Sequence, residues 1–257
     1  MKHSFGRTLA LSALVIAGSA RGAAAQELPS AKQIVERYVE AIGKDAATRH
    51  NFRRVVAEMT LPTGAMTMDM KFARPNKMVV NAEMPGLGAV RSGFDGARGW
   101  TVNPMSGAQL MEGKELEQLL RQADFDASFN LAAQFPSMTT VERSTANGQP
   151  CHRVRMVSVS QDTVHACFDV ATGLMSQMQT RQESQMGKLE TTVNMLDYKD
   201  FGGVKMPTRT VTQVMGQEMT MTIKSVSTDP IAPAEFEPPA EIKALMQQQP
   251  AAPRNQD

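Results

Sequence analysis

Between residues 65 and 72 every second side chain is large and apolar: Met66, Met68, Met70 and Phe72 alternate with Thr67, Asp69 and Lys71. Successive side chains of a β-strand point to opposite faces, so this stretch predicts a strand with one apolar and one polar face. The period returns at Met219, Met221 and Ile223, set between Glu218, Thr220, Thr222 and Lys224. It also runs through Val55, Ala57, Met59 and Leu61, then Met78, Val80, Ala82 and Met84, then Val90, Ser92 and Phe94, then Trp100 and Val102. Turn signals separate these runs: Pro62-Thr63-Gly64, Pro75-Asn76, Pro85-Gly86, Asp95-Gly96 and 104–107, and later Asn147-Gly148, Ser160-Gln161, Ala171-Thr172-Gly173, Gly202-Gly203 and Gly216-Gln217. That regular spacing predicts one continuous antiparallel sheet and not βαβ units. About a dozen strands exceed what a flat sheet holds, so the sheet is expected to curl into an open barrel or half-barrel.

Helical periodicity appears in four places. Ile34, Val35, Tyr38, Val39 and Ile42 form a stripe over 30–42, with Ser30 and Gln33 as a capping box and Gly43 as the stop. Leu116, Leu119 and Leu120 mark a helix over 114–123. Asp126 is expected to cap a helix over 127–134 that Pro136 ends. Phe125, Phe129, Leu131 and Phe135 make this second segment strongly apolar, as a lid over the sheet or a permanent plug would be. Residues 240–246 form a last short helix before a Pro- and Gln-rich tail expected to be disordered. The expected division is a signal peptide over 1–25, a binding domain over 26–240, and a short helix with tail over 241–257.

The leader carries that division. Lys2 and Arg7 precede a short apolar run from Leu9 to Ala17, and Ala23-Ala24-Ala25 offers a cleavage site. The run is too short for a membrane span and is followed by Arg21, so export across the inner membrane to the bacterial periplasm is expected, without a lasting span. Removing Lys2, Arg7 and Arg21 takes the 27 basic residues to 24 against 26 acidic, a net charge of −2. No basic face for nucleic acid follows from that balance. The chain has 20 methionines but one Trp. Methionine is unbranched and adapts to irregular contents, so a methionine-rich sheet face fits a cavity for a chain-like ligand, while an ordinary sheet core fits the same pattern.

Catalytic signatures are missing. There is no His-Glu-x-x-His, no Gly-x-Ser-x-Gly, no phosphate-binding loop and no paired carboxylates set for acid and base work. An enzyme is not expected, nor a cofactor. Cys151-His152 and His165-Ala166-Cys167 have the residue types of a zinc site, but adjacent strand residues face opposite ways, so all four cannot converge without a bulge. In an exported chain the leading expectation is a Cys151–Cys167 disulfide, with two separately buried cysteines as the alternative.

Four stretches resemble a known family in order along the chain. Gly93-Phe94-Asp95-Gly96-Ala97-Arg98-Gly99-Trp100 resembles the Asp-Gly…Trp hairpin of outer-membrane lipoprotein-sorting proteins. Cys167-Phe168-Asp169-Val170-Ala171-Thr172-Gly173-Leu174 is similar to their Phe-Asp-x-x-Thr-Gly-Leu strand end. Tyr198 to Pro207 resembles their Tyr-x-x-Phe-x-Gly-Val-x-x-Pro turn, and Phe236-Glu237-Pro238 their closing motif. The resemblance implies the fold of the periplasmic carriers LolA and LolB, an open β-barrel over a helical lid that holds acyl chains of lipoproteins or lipids and performs no catalysis. The chain is longer than a typical LolA and lacks LolB's lipid-anchoring cysteine. Strand alternation assigns the expected cavity face to Met59, Met66, Met68, Met70, Phe72, Met78, Val80, Phe94, Trp100, Met219, Met221 and Ile223, and the lid to Phe125, Phe129 and Phe135. The expected partners are acyl chains, with an envelope protein as a further one. A monomer is expected. The alternative on the same fold is an envelope-stress sensor or adaptor like the RseB-type regulators.

Overall fold

The computed structural model describes residues 27–86, 88–184 and 187–248. The leader over 1–25 and the tail beyond residue 248 lie outside the described residues. One antiparallel sheet carries the architecture. Its strands are β1 (Phe52–Leu61), β2 (Gly64–Ala73), β3 (Lys77–Met84), β4 (Gly88–Phe94), β5 (Gly99–Asn103), β6 (Gly107–Leu110), β7 (Ser137–Ala146), β8 (Gln149–Val157), β9 (Thr163–Asp169), β10 (Met175–Ser184), β11 (Gly187–Phe201), β12 (Val204–Val214) and β13 (Gln217–Ser227). The order across the sheet is β6-β5-β4-β3-β2-β1-β13-β12-β11-β10-β9-β8-β7. The first and last strands of the chain meet in the middle, where β13 pairs with β1, and the edges β6 and β7 do not pair. The sheet is open, and the turns the sequence marks fall between its strands, while the β10–β11 connection was not among them.

Helices cover it in patches. Helix α1 (Ala31–Ala41) has the expected Ser30–Gln33 capping box, and its buried Ile34, Val35 and Tyr38 pack on Val154, Met156, Ala166 and Phe168 of β8 and β9. Arg37 donates to the carbonyls of Val170 (3.0 Å) and Ala171 (2.8 Å), tying α1 to the β9–β10 turn. The helix stops at Gly43, which has φ +87° and no room for a side chain: a Cβ there would lie 1.9 Å from the Gly203 carbonyl oxygen. After α2 (Lys44–Ala47) the sheet begins.

Helix α3 (Gly113–Ala123) lays Leu116, Leu119 and Ala123 on Met78 and Phe94. The segment after it differs from expectation. Helix α4 spans only Leu131–Gln134, and its N-cap is Asn130. Asp126 does not cap a helix there, because its carboxylate pairs with the Arg74 guanidinium. The C-terminal helix lies against the sheet. Helix α5 (Ala240–Gln248) is no appendage: Ile242 is fully buried, and with Phe236 it packs on Ala73, Val79 and Trp100. No helix among the described residues is long and apolar enough to cross a membrane.

Cys151 and Cys167 are joined by a disulfide, with Cα atoms 5.5 Å apart. Cys151 stands opposite Asp169, and Arg153 opposite Cys167, so the bond is a diagonal between neighbouring strands on one face. His152 lies on the other face with Phe168, buried against the α1 cluster. The four side chains therefore do not converge.

Candidate functional site

The site is the inner face of the central strands. Register links its residues in rungs. Met66 pairs with Met59, Met59 with Met221, Met221 with Thr210 and Thr210 with Met195, so one row crosses five strands. The next rung joins Ala82, Met68, Ala57 and Ile223. The one below joins Val80, Met70, Val55 and Val226. The lowest joins Phe94, Met78, Phe72 and Arg53. In the last hairpin Val214 pairs with Gln217, which puts Val214 on the face of Met219, Met221 and Ile223.

The predicted cavity residues divide into three sets. Met59, Met66, Met68, Met70, Met219, Met221 and Ile223 are half-buried and belong to none of the packed clusters. Phe72, Met78, Val80 and Phe94 share their face but pack against α3, so they are core beneath a helix. Trp100 is on the opposite face altogether. The Asp95–Gly96 turn closes with Phe94 against Gly99, which sets Trp100 against Gly93 and points the indole outward. There it is fully buried under α5. A loop one residue longer or shorter would have reversed this, because parity does not carry through a turn of unknown register.

The lid residues also divide. Phe125 is buried and its amide donates to the Pro75 carbonyl, which pins it to the β2–β3 turn. Phe129 and Phe135 lean on the α1 cluster. The segment thus closes the lower end of the concave face, between the region under α3 and the region under α1. Between those two covered regions the partly exposed thioether rungs form a strip of the concave face, the groove of the candidate site. Two concavities are lined differently: one of about 480 Å³ lies between α1, α2, Phe129 and Ala132, and one of about 450 Å³ lies on the outer face around Arg153, His165, Gln179 and Arg181.

Arg53 was missing from the predicted site. It shares the parity of Val55, Ala57 and Met59 in the sequence, which was the signal available. Its guanidinium lies between the rings of Phe72 and Phe125, 4.8 Å from each centroid. Burial lowers its pKa from the usual arginine value, opposed by Asp126 and reinforced by Arg74. Met195 and Thr210 were also missed, because only the register of β11 with β12 brings them into the row.

The motif residues serve the turns. The Asp95 carboxylate accepts from the amides of Ala97 (2.7 Å) and Arg98 (2.8 Å). Asp169 accepts from the Thr172 amide (2.7 Å), and Asp200 from the Gly203 amide (2.8 Å). These are Asx-type turns at the lower end of the sheet, so their recurrence is a matter of fold and not of ligand.

The sequence matches no protein-family model and no curated protein. Solved structures do match. A LolA superfamily protein from Nitrosomonas europaea superposes with a TM-score of 0.58 at 13% identity, covering 82% of this chain and 99% of that one. A DUF1329 family protein from Desulfovibrio piger gives 0.57 at 11% identity, covering 80% and 97%. A putative outer membrane lipoprotein-sorting protein domain from Vibrio parahaemolyticus gives 0.52 at 11% identity, covering 79% and 97%.

Proposed function

We propose, taking the LolA-like fold as the premise, that this chain is a carrier that binds acyl chains of a lipoprotein or lipid in the concave face of its half-barrel. One observation carries the reading: Met59, Met66, Met68, Met70, Met219, Met221 and Ile223 form a contiguous apolar surface that no helix among the described residues packs shut. Such a surface is costly to leave facing water and is a mark of a binding face. Each CH₂ moved onto it from water contributes about 0.8 kcal/mol, so a long acyl chain has ample driving force after ordering costs. Thioether side chains adapt to chains of differing length and saturation. The reading needs no catalytic group. It places the protein in the periplasm, which the leader sequence and the Cys151–Cys167 disulfide support, since disulfides persist in oxidising compartments.

The test is binding of a fluorescent fatty acid to the purified protein. Saturable binding is expected, weakened at least tenfold in Met68→Asp, which sets a carboxylate in the middle rung. Equal binding by the variant would place the ligand elsewhere, and no binding to either protein would end the carrier reading.

A further inference from the structure

The foot of the groove holds a cation with no hydrogen-bond partner among the described residues. Arg53 and Arg74 sit side by side against Phe125, their guanidinium carbons 4.8 and 4.6 Å from its centroid. Arg74 is fully engaged. Its Nε donates to the His50 carbonyl (2.9 Å), one terminal nitrogen to the Ala47 carbonyl (3.0 Å), and the other to the Asp126 carboxylate. Among the described residues Arg53 contacts the two ring faces and makes no hydrogen bond. Its Nε is buried with no hydrogen-bond partner among the described residues. Among the described residues Asp126 pairs with Arg74 and also acts on Arg53, so one carboxylate faces two guanidinium groups and the pocket keeps about one positive charge in excess.

Ring faces offset part of the cost of such a cation but leave its N–H donors unsatisfied. Beside it lies a small void of about 20 Å³, lined by Arg53, His50, Phe125, Phe129, Val204 and Met206. That is room for about one oxygen-sized group. Arg53 also begins the column that continues upward as Val55, Ala57 and Met59, with Met70, Met68 and Met66 beside it. Six residues of strand at about 3.3 Å each give a path of about 20 Å, the reach of a long acyl chain.

We infer that Arg53 is the anchor for the anionic head of a single-chain amphiphile, of which a long-chain fatty acid is the simplest case. The ligand enters head first, with its carboxylate on Arg53 and its tail along the methionine rungs toward the open rim. This rests on the carrier reading and sharpens it. Acyl chains joined by ester or amide bonds, as on a lipoprotein, have no carboxylate to offer and bind without the anchor. Seating both carboxylate oxygens in so small a void requires Phe125 or Phe129 to give way, so loading loosens the segment that closes the groove's foot.

The experiment compares palmitic acid with methyl palmitate, bound to the full chain by displacement of a neutral fluorescent lipid probe. The wild type is expected to bind the acid about tenfold more tightly than the ester, as a charge-assisted hydrogen bond allows. In Arg53→Met the two ligands bind alike, while the ester keeps its wild-type affinity. Arg53→Lys retains part of the preference for the acid. A residue that merely held Phe125 in place would weaken both ligands together and leave their ratio unchanged. Equal affinities in the wild type overturn the anchor and leave the carrier reading standing. If neither ligand binds, both readings are overturned. The wild-type ratio decides the matter even where Arg53→Met does not fold.

Discussion

A methyl group at residue 93 has nowhere to go. A Cβ on Gly93 would lie 2.7 Å from the Met78 carbonyl oxygen and 2.7 Å from the Trp100 ring. The glycine is there because the indole lies across the backbone of the neighbouring strand. Gly93→Ala is expected to cost about 1–3 kcal/mol, read as a lower urea midpoint with an unchanged slope. A second residue gives a pH dependence. His152 is 7% exposed, its Nδ1 has no hydrogen-bond partner among the described residues, and its pKa is lowered by burial first and by Arg143 and Arg37 after that. The unfolded chain takes up this proton near pH 6.5 and the folded chain resists it. The contribution of neutral His152 is therefore present above about pH 6.5 and is lost as pH falls through and below that value. The melting temperature is expected to drop on acidification from neutral pH, and His152→Gln is expected to flatten that drop. An identical pH profile for the variant would exclude His152 as the cause.

Among the elements, α5 departs most from its sequence appearance. Nine residues with a weak apolar stripe, next to a Pro- and Gln-rich tail, read as peripheral, yet the helix completes the outer layer of the sheet. It is held by more than packing: Lys71 donates to Glu235 (2.6 Å) just before it, and Lys243 to Glu237 (2.6 Å) along it. Ile242→Ala is expected to cost about 2–5 kcal/mol, since the methyl groups leave a cavity between α5 and the sheet. A chain ending at Pro239 exposes Trp100, the single tryptophan. Its emission is expected to shift to the red while far-ultraviolet dichroism still reports a sheet. An unshifted spectrum would mean that α5 does not cover the indole in solution.

For the whole molecule, the fold sorts one apolar face into parts that are used up and a part that is not. The sheet is too wide for its helices. Helix α1 covers β8 and β9, α3 covers β3 and β4, and the strands between keep an open inner surface. A ligand that fills this surface binds the folded state alone, so it raises stability by mass action. Fatty acid at one hundred times its dissociation constant is expected to add about 2.7 kcal/mol, visible as a higher melting temperature. The gain is expected to vanish in Met68→Asp. An equal gain in both proteins would show that the stabilising site is not the groove.

Much of this was present in the chain before any folding. Alternation fixed which residues of a strand lie together, so Met66, Met68 and Met70 share a face whatever surrounds them, and Arg53 shares the parity of Val55. Ser30 and Gln33 announced the start of α1, and the turn residues announced the hairpins, because both are short-range effects of backbone geometry and local hydrogen bonds. What the neighbours decide was not legible. Trp100 changed faces through the register of a single turn, Asp126 left its helix for an arginine distant in sequence, and Phe72 and Met78 became core only because α3 lies on them. Local sequence sets the direction of a side chain relative to its own strand. Whether that direction leads into a helix, a groove or water depends on where the other elements pack, and only the tertiary structure settles it.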